Sequence, residues 1–332
     1  MKHSMVCILS VLTCLCICLT GCNSYQTEPA PATYYHINNE REYQTSIPVA
    51  PAVNCAYASQ YAVIPASDSV RSSVSTKLCI NNTENTVVAA ENPFEKIYPA
   101  SITKIMTALL VLEHGTLTDQ VTITDPIELG DPMAVSLELQ VGDTLSVNEL
   151  MHGMLITSAN DCAVALGRYV AGDEASFITM MNDRAAQLGA THTHFVNTNG
   201  LHDDDHYTTG YDLYLIYKEL ITHPEFRAIS ELPDYMIHYT DAEGSVREIP
   251  IRNSNQFITQ TVSTPEGLTV LDGKTGTTNE AGYCLIIEAT DTDNQDYIAV
   301  ICGAGSRSEL YTQLQQLLEQ TQVDKEGSSA AN

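Results

Sequence analysis

The chain of 332 residues has no tryptophan and only five phenylalanines, and its Lys and Arg number 15 against 41 Asp and Glu. A formal charge of −26 repels phosphate backbones and anionic headgroups. That excludes nucleic acid as a partner and a basic patch as a membrane tether. Long apolar runs are also lacking. The main one, Met5 to Thr20, has 16 residues, too short to span a bilayer and about right for the core of an export signal. Zinc spacing is absent as well. His152, His192, His194, His202 and His206 are scattered, and Cys55, Cys79, Cys162, Cys284 and Cys302 fit no ligand pattern. These five cysteines are an odd set, so at least one is unpaired, and most are expected as small buried apolar side chains.

What is present begins with that export signal. Lys2 and His3 precede the apolar run, which ends Leu19-Thr20-Gly21-Cys22, a sequence that resembles a lipobox. Residues 1–22 are therefore expected to be a lipoprotein signal peptide with Cys22 as the lipidated residue. The competing reading is an ordinary cleaved signal in which Cys22 is incidental. Lipidation with a diacylglycerol plus an amide-linked chain would anchor the protein lastingly outside the cytoplasmic membrane, since stable attachment takes more than one acyl chain. Residues 23–60 carry Pro29, Pro31 and Pro48 among Asn, Gln, Ser, Thr and Ala, which predicts a flexible linker. A folded region is expected over 61–322 and a disordered tail over 323–332.

Within the folded region, Thr76–Ile80 and Thr86–Ala90 predict two strands around an Asn-rich turn. Ser101 to His114 predicts a helix closed by Gly115, apolar on nearly every side and hence buried. Ser146-x-x-Glu149 forms a capping box before Leu150–Ile156, and a second helix follows over Asp161–Val170. Further helices are expected over Asp173–Leu188 and from Thr209 to about Ile221, the latter ended by Pro224. Strands Leu268–Thr275, Gly282–Thr290 and Tyr297–Gly303 lead to a last helix at Ser308–Gln320. Strands at both ends of the chain with helices between them predict an α/β (α+β) fold: one antiparallel sheet covered by helices, plus a helical lobe.

Three short constellations can carry chemistry. Ser101 and Lys104 sit one helical turn apart, on one face, just after Pro99-Ala100. The N-terminal end of a helix favours developing negative charge, and a lysine desolvated among apolar residues becomes a usable base. Taken alone, the pair also suits an N-cap serine with a snorkelling lysine. Ser158-Ala159-Asn160 breaks two helices and can point a hydroxyl and an amide into a cleft, or simply cap the second helix. Lys274-Thr275-Gly276-Thr277 follows Asp272-Gly273 and can hold a peptide carboxylate along a strand edge, or simply form a turn.

Their order and separations, 101 to 158 (57 residues) and 158 to 274 (116 residues), fit the three-motif set shared by penicillin-binding proteins and class A β-lactamases. The surrounding residues extend this. Tyr98-Pro99-Ala100-Ser101-Ile102-Thr103-Lys104-Ile105-Met106-Thr107, Asn197-Thr198-Asn199-Gly200-Leu201-His202-Asp203, and Gly273-Lys274-Thr275-Gly276-Thr277-Thr278 resemble the low-molecular-mass D-alanyl-D-alanine carboxypeptidases, peptidase family S11. The similarity covers roughly residues 62–322. Ala159 stands where Gly is common in that family, and Thr277 where many members carry a larger residue.

The resemblance implies a five-stranded antiparallel sheet of the DD-peptidase/β-lactamase kind and a penicillin-sensitive carboxypeptidase acting on peptidoglycan stem peptides, with β-lactams as inhibitors. It implies Ser101 as nucleophile, Lys104 as base and Ser158 as proton relay. Backbone N–H groups of Ser101 and Thr277 form the oxyanion hole. Asn160 binds the substrate backbone, while Lys274, Thr275, Gly276, Thr277 and Arg307 face the terminal carboxylate. No cofactor or metal is implied. Two rivals stand beside this reading. A class A-like β-lactamase needs a general-base Glu between the second and third motifs, and the loop Asn197–Asp205 has none. A non-catalytic penicillin-sensing wall protein would not need Ser101, Lys104, Ser158 and Lys274 intact. Cleavage of cross-links by the same residues is equally open.

Overall fold

The computed structural model describes residues 74–329, with side chains described through residue 322. Cys22, the rest of the expected signal and linker, and Cys55 lie outside the described residues. Strands β1 (Thr76–Asn81) and β2 (Thr86–Glu91) form the expected hairpin. Strands β7 (Leu268–Thr278), β8 (Gly282–Asp291) and β9 (Asp296–Ala304) form the C-terminal meander. They join in one five-stranded antiparallel sheet of order β2-β1-β9-β8-β7, closed by β1 pairing with β9. The predicted five-stranded sheet is present, and β7 is one of its edges.

Side-chain alternation explains why β8 and β9 are apolar almost throughout. Ile286, Ile298, Val300 and Cys302 face a large core shared with the helical lobe. Leu285, Ile287, Ala299 and Ile301 face a smaller core under the C-terminal helix α7 (Arg307–Ser329), which contributes Leu310, Leu314, Leu317 and Leu318. A sheet covered on both faces needs apolar residues at every position. Helix α7 runs on to Ser329, into the stretch expected as a tail.

The helical lobe holds α1 (Lys104–His114), α2 (Val147–Ile156), α3 (Asn160–Ala171), α4 (Glu174–Gln187), α5 (Gly210–Leu220) and α6 (Pro224–Ser230). Helix α1 is buried from Lys104 through Val111, as an all-round apolar helix must be. It begins three residues later than the expected start at Ser101, after a 3-10 turn over Ala100–Thr103. Gly115 follows in extended rather than left-handed conformation. Ser146 caps α2 by accepting from Glu149 N–H, but the capping box is only half formed. The Glu149 carboxylate instead accepts from Tyr235 Oη–H and His238 N–H.

Those last two residues belong to elements the sequence pattern did not indicate. Strands β3 (Gln120–Thr122), β4 (Thr144–Ser146), β5 (Asp234–Thr240) and β6 (Val246–Arg252) form a second, four-stranded antiparallel sheet. Two are only three residues long, and β6 carries Pro250, which is tolerated because β6 is an edge. Pro224 does not merely end α5. It occupies the first turn of α6, where its missing N–H costs nothing. The four described cysteines, Cys79, Cys162, Cys284 and Cys302, are all buried.

Candidate active site

The site assembles where the 3-10 turn, the α2–α3 break and strand β7 meet. Ser101 lies on the turn with its side chain half-buried. It caps no helix, since the turn has no side-chain cap. One turn on, Lys104 is fully buried and its Nζ reaches three oxygens: Ser101 Oγ at 3.0 Å, Asn160 Oδ1 at 2.8 Å and the Asn199 carbonyl at 2.6 Å. Two of these are carbonyls that can only accept. A neutral amine has two N–H groups and one lone pair, so the carbonyls take the N–H groups and the lone pair faces the Ser101 hydroxyl. Burial, reinforced by the charge of Lys274, holds the Lys104 pKa well below its ordinary value. The shift favours the neutral amine, the form a base needs.

The break between α2 and α3 also differs from the capping alternative. The N-cap of α3 is Ala159, with no side-chain cap. Ser158 sits just before it in the left-handed region at φ 69°, and its Oγ accepts from Lys274 Nζ at 2.9 Å. Burial lowers the pKa of Lys274 to about 7, so this amine can both give and take a proton near neutrality. Asn160 spends both ends of its amide internally, Oδ1 on Lys104 and Nδ2 on the Val135 carbonyl at 2.9 Å.

The third motif lies within a strand rather than a turn, since β7 runs on to Thr278. It approaches the turn that carries Ser101 so closely that a Cβ on Gly276 would lie 2.9 Å from Pro99 O and 3.0 Å from Ser101 N. Only glycine allows that approach. Thr275 shares a 2.5 Å hydrogen bond with Ser254 Oγ. Arg307 is exposed at the start of α7, and with Ser254, Thr275, Thr277, Tyr283 and Tyr311 it borders a recess of about 40 Å³. The structure thus brings together two hydrogen-bonded groups, Ser101–Lys104–Asn160 and Ser158–Lys274, near enough for the Lys274 charge to act on Lys104, and sets Arg307 beside the strand edge.

Sequence reasoning missed four contributors. The Asn199 carbonyl has no side-chain signature. Ser254 precedes no recognisable motif. Asp161, directly after the second motif, accepts from the N–H groups of Leu137, Leu139 and Cys162. It thereby fixes the segment whose Val135 carbonyl holds Asn160, and its own burial pushes its pKa up despite those bonds. His206 is the fourth, taken up below.

Comparison with known proteins is now decisive. The pattern of peptidase family S11, D-alanyl-D-alanine carboxypeptidase, matches residues 63–306. The chain belongs to this family. It is 32% identical over 240 residues to the D-alanyl-D-alanine carboxypeptidase DacF of Bacillus subtilis, covering 70% of this chain and 58% of that one. It is 33% identical over 241 residues to DacC of Escherichia coli, covering 70% and 57%. The chain therefore matches somewhat under three fifths of the length of these S11 relatives. The crystal structure of the Streptomyces K15 DD-transpeptidase superposes with a TM-score of 0.69 at 26% identity, covering 76% of this chain and 97% of that one. Penicillin-binding protein D2 of Listeria monocytogenes, in a cefotaxime-bound form, superposes at 0.63 with 29% identity, covering 76% and 99%.

Proposed function

We propose that the protein is a serine D-Ala-D-Ala carboxypeptidase that removes the terminal D-alanine from peptidoglycan stem peptides and is acylated by β-lactams. The observation that carries this reading is the Lys104 amine, its pKa lowered by burial and its nitrogen held beside Ser101 Oγ by two carbonyls. Ser101 Oγ attacks the carbonyl carbon between the two D-Ala residues while Lys104 takes its proton. The negative charge that develops on the substrate oxygen is met by the Ser101 and Thr277 N–H groups, an interaction worth about 3 kcal/mol of barrier per donor. As the C–N bond breaks, Ser158 passes a proton to the departing D-Ala amine and is reprotonated from Lys274, its 2.9 Å partner. Water then cleaves the Ser101 ester, releasing the shortened peptide. Lys274, Thr275 and Arg307 hold the terminal carboxylate, the guanidinium in a forked pair.

One experiment separates this from its neighbours. Pentapeptide and cross-linked dimer are incubated with the protein, with and without an amine acceptor, and the products are weighed. Free D-Ala and tetrapeptide are expected. Release of monomers from the dimer alone would make it an endopeptidase, and a peptide joined to the acceptor would make it a transpeptidase, the activity named for the K15 neighbour.

The β-lactamase alternative makes a different prediction. Among the described residues, the hydrogen bonds of the Lys104 amine go to Ser101, Asn160 and Asn199, and none of them goes to a carboxylate. D-Ala leaves the site after acylation, and water can enter where it sat. A penicilloyl group keeps its leaving amine tethered there. Repeated D-Ala release is therefore expected beside a penicilloyl adduct that decays slowly on the same preparation. Penicillin hydrolysis outpacing peptide turnover, without a lasting adduct, would reverse the assignment.

The attachment reading supports the same work. A mature protein beginning at a diacylated Cys22, with residues 23–60 as spacer and 61–322 as catalytic domain, would be held outside the cytoplasmic membrane within reach of the wall. Wild-type protein is expected to incorporate labelled palmitate and Cys22→Ser is not. Label retained in Cys22→Ser would place the lipid elsewhere.

A further inference from the structure

The Asn199 carbonyl, second of the two that aim Lys104, lies on an irregular segment outside any strand. Its position is therefore set by side-chain ties. At one end Thr107 Oγ1 donates to the Thr198 carbonyl at 2.6 Å. In the middle, Gly200 has φ 85° and lies so close to the nucleophile turn that a Cβ there would sit 1.9 Å from Ala100 O. At the other end stands His206, only 2% exposed. Its Nδ1 accepts from Val196 N–H at 3.1 Å, and its Nε2 lies 2.7 Å from Thr103 Oγ1. A ring nitrogen that accepts a backbone N–H carries no proton, so the proton is on Nε2 and is donated to Thr103. Thr103 directly precedes Lys104 and lies on the turn that bears Ser101.

We propose that His206 is a positioning residue for Lys104: its neutral ring, gripping Val196 N–H and Thr103 Oγ1 together, fixes the Asn199 carbonyl that turns the lysine lone pair toward Ser101. This rests on Lys104 being the base. The ring is suited to the task because burial pushes its pKa down to about 4, with Lys104, His194 and His202 acting in the same direction and Asp203 opposing. The accepting tautomer therefore persists near neutral pH, where Lys274 titrates.

The consequence has a distinctive sign. A carbonyl that accepts from Lys104 stabilises its ammonium more than its amine. Loosening Asn199 therefore lowers the Lys104 pKa further, while the amine loses its aim. The other groups that bear on Lys104, namely Lys274, Asp161 and Cys162, remain in place. In the full chain, His206→Ala is expected to move the rising limb of penicillin acylation to lower pH and to cut its plateau by about 100-fold, the usual effect of misplacing a reacting group by an ångström. His206→Gln can donate to Thr103 and accept from Val196, and should restore both limb and plateau. Should His206→Ala not fold, the near-isosteric Thr103→Val removes the ring's acceptor and is read in the same way. An unmoved limb, with a plateau reduced only by the unfolded fraction seen in circular dichroism, would overturn the proposal. The base assignment itself stands or falls separately, on substitution of Lys104.

Discussion

Ser101→Ala is expected to fold as the wild type does and to take up no fluorescent penicillin. The residue is half-buried, caps no helix, and uses its hydroxyl only on Lys104 among the described hydrogen bonds. Replacing it should change stability by no more than about 1 kcal/mol. The chemistry has no substitute, because the oxygen facing the Lys104 lone pair is the atom that forms the ester. Loss of a serine nucleophile typically lowers turnover by about a millionfold, which is blank on a gel. Mass mapping of the wild-type adduct should return the peptide containing Ser101, and an adduct on any other residue would defeat the assignment.

Lys104→Arg is expected to lose acylation by about a thousandfold or more, because a guanidinium stays protonated at every accessible pH and cannot take the Ser101 proton. The larger head enters a fully buried site, so some stability is also lost, about 1–3 kcal/mol for overpacking. Lys104→Met guards against a trivial result, since it removes the base without adding charge and should be equally inert. Acylation by either folded variant within about tenfold of wild type would exclude Lys104 as the base. The pH dependence runs the same way. Folding lowers the pKa of Lys104, and that of Lys274 to about 7, from an unfolded value of 10.5. The unfolded chain therefore binds more protons between those values, and stability from this source rises with pH until both states are deprotonated near 10.5. Acylation should rise with pH as Lys104 loses its proton, at a pH well below the ordinary lysine range. Replacing Lys104 by Met should abolish the acylation rise while the part of the stability slope due to Lys274 remains; a purely structural lysine would leave the acylation profile unmoved.

Much of this site was legible because its members sit close together in sequence. Ser101 and Lys104 are three residues apart, so helical geometry alone places them together. The lysine's isolation in an apolar helix already announced its burial and its lowered pKa. The five-stranded sheet was legible for a similar reason, as continuous apolar runs in β8 and β9 signal a sheet covered on both faces. What escaped was carried by backbone and by long-range ties. The Asn199 carbonyl belongs to an amide like any other, and its role depends on a loop returning 95 residues later to meet Lys104. His206 looked like one of several scattered histidines until the fold set it between Val196 and Thr103. The four-stranded sheet was hidden by three-residue strands and by Pro250, which masks a strand wherever edge and centre cannot be told apart. Ser158 and Asn160 matched a capping pattern because Ser and Asn favour caps. The structure gives that position to Ala159 and leaves both side chains to the site.

Ala100 and Ser158, at φ 48° and 69°, stand one residue before Ser101 and two before Asn160, in a region that costs a residue with a Cβ about 1–2 kcal/mol. That energy is spent when the chain folds, so the resting protein is already wound into the shape that the proposed reaction needs. Glycine at position 100 would relax the turn without touching a reacting atom. A search among variants for greater heat resistance would drift toward such changes, and each would loosen the spring that holds the serine in place.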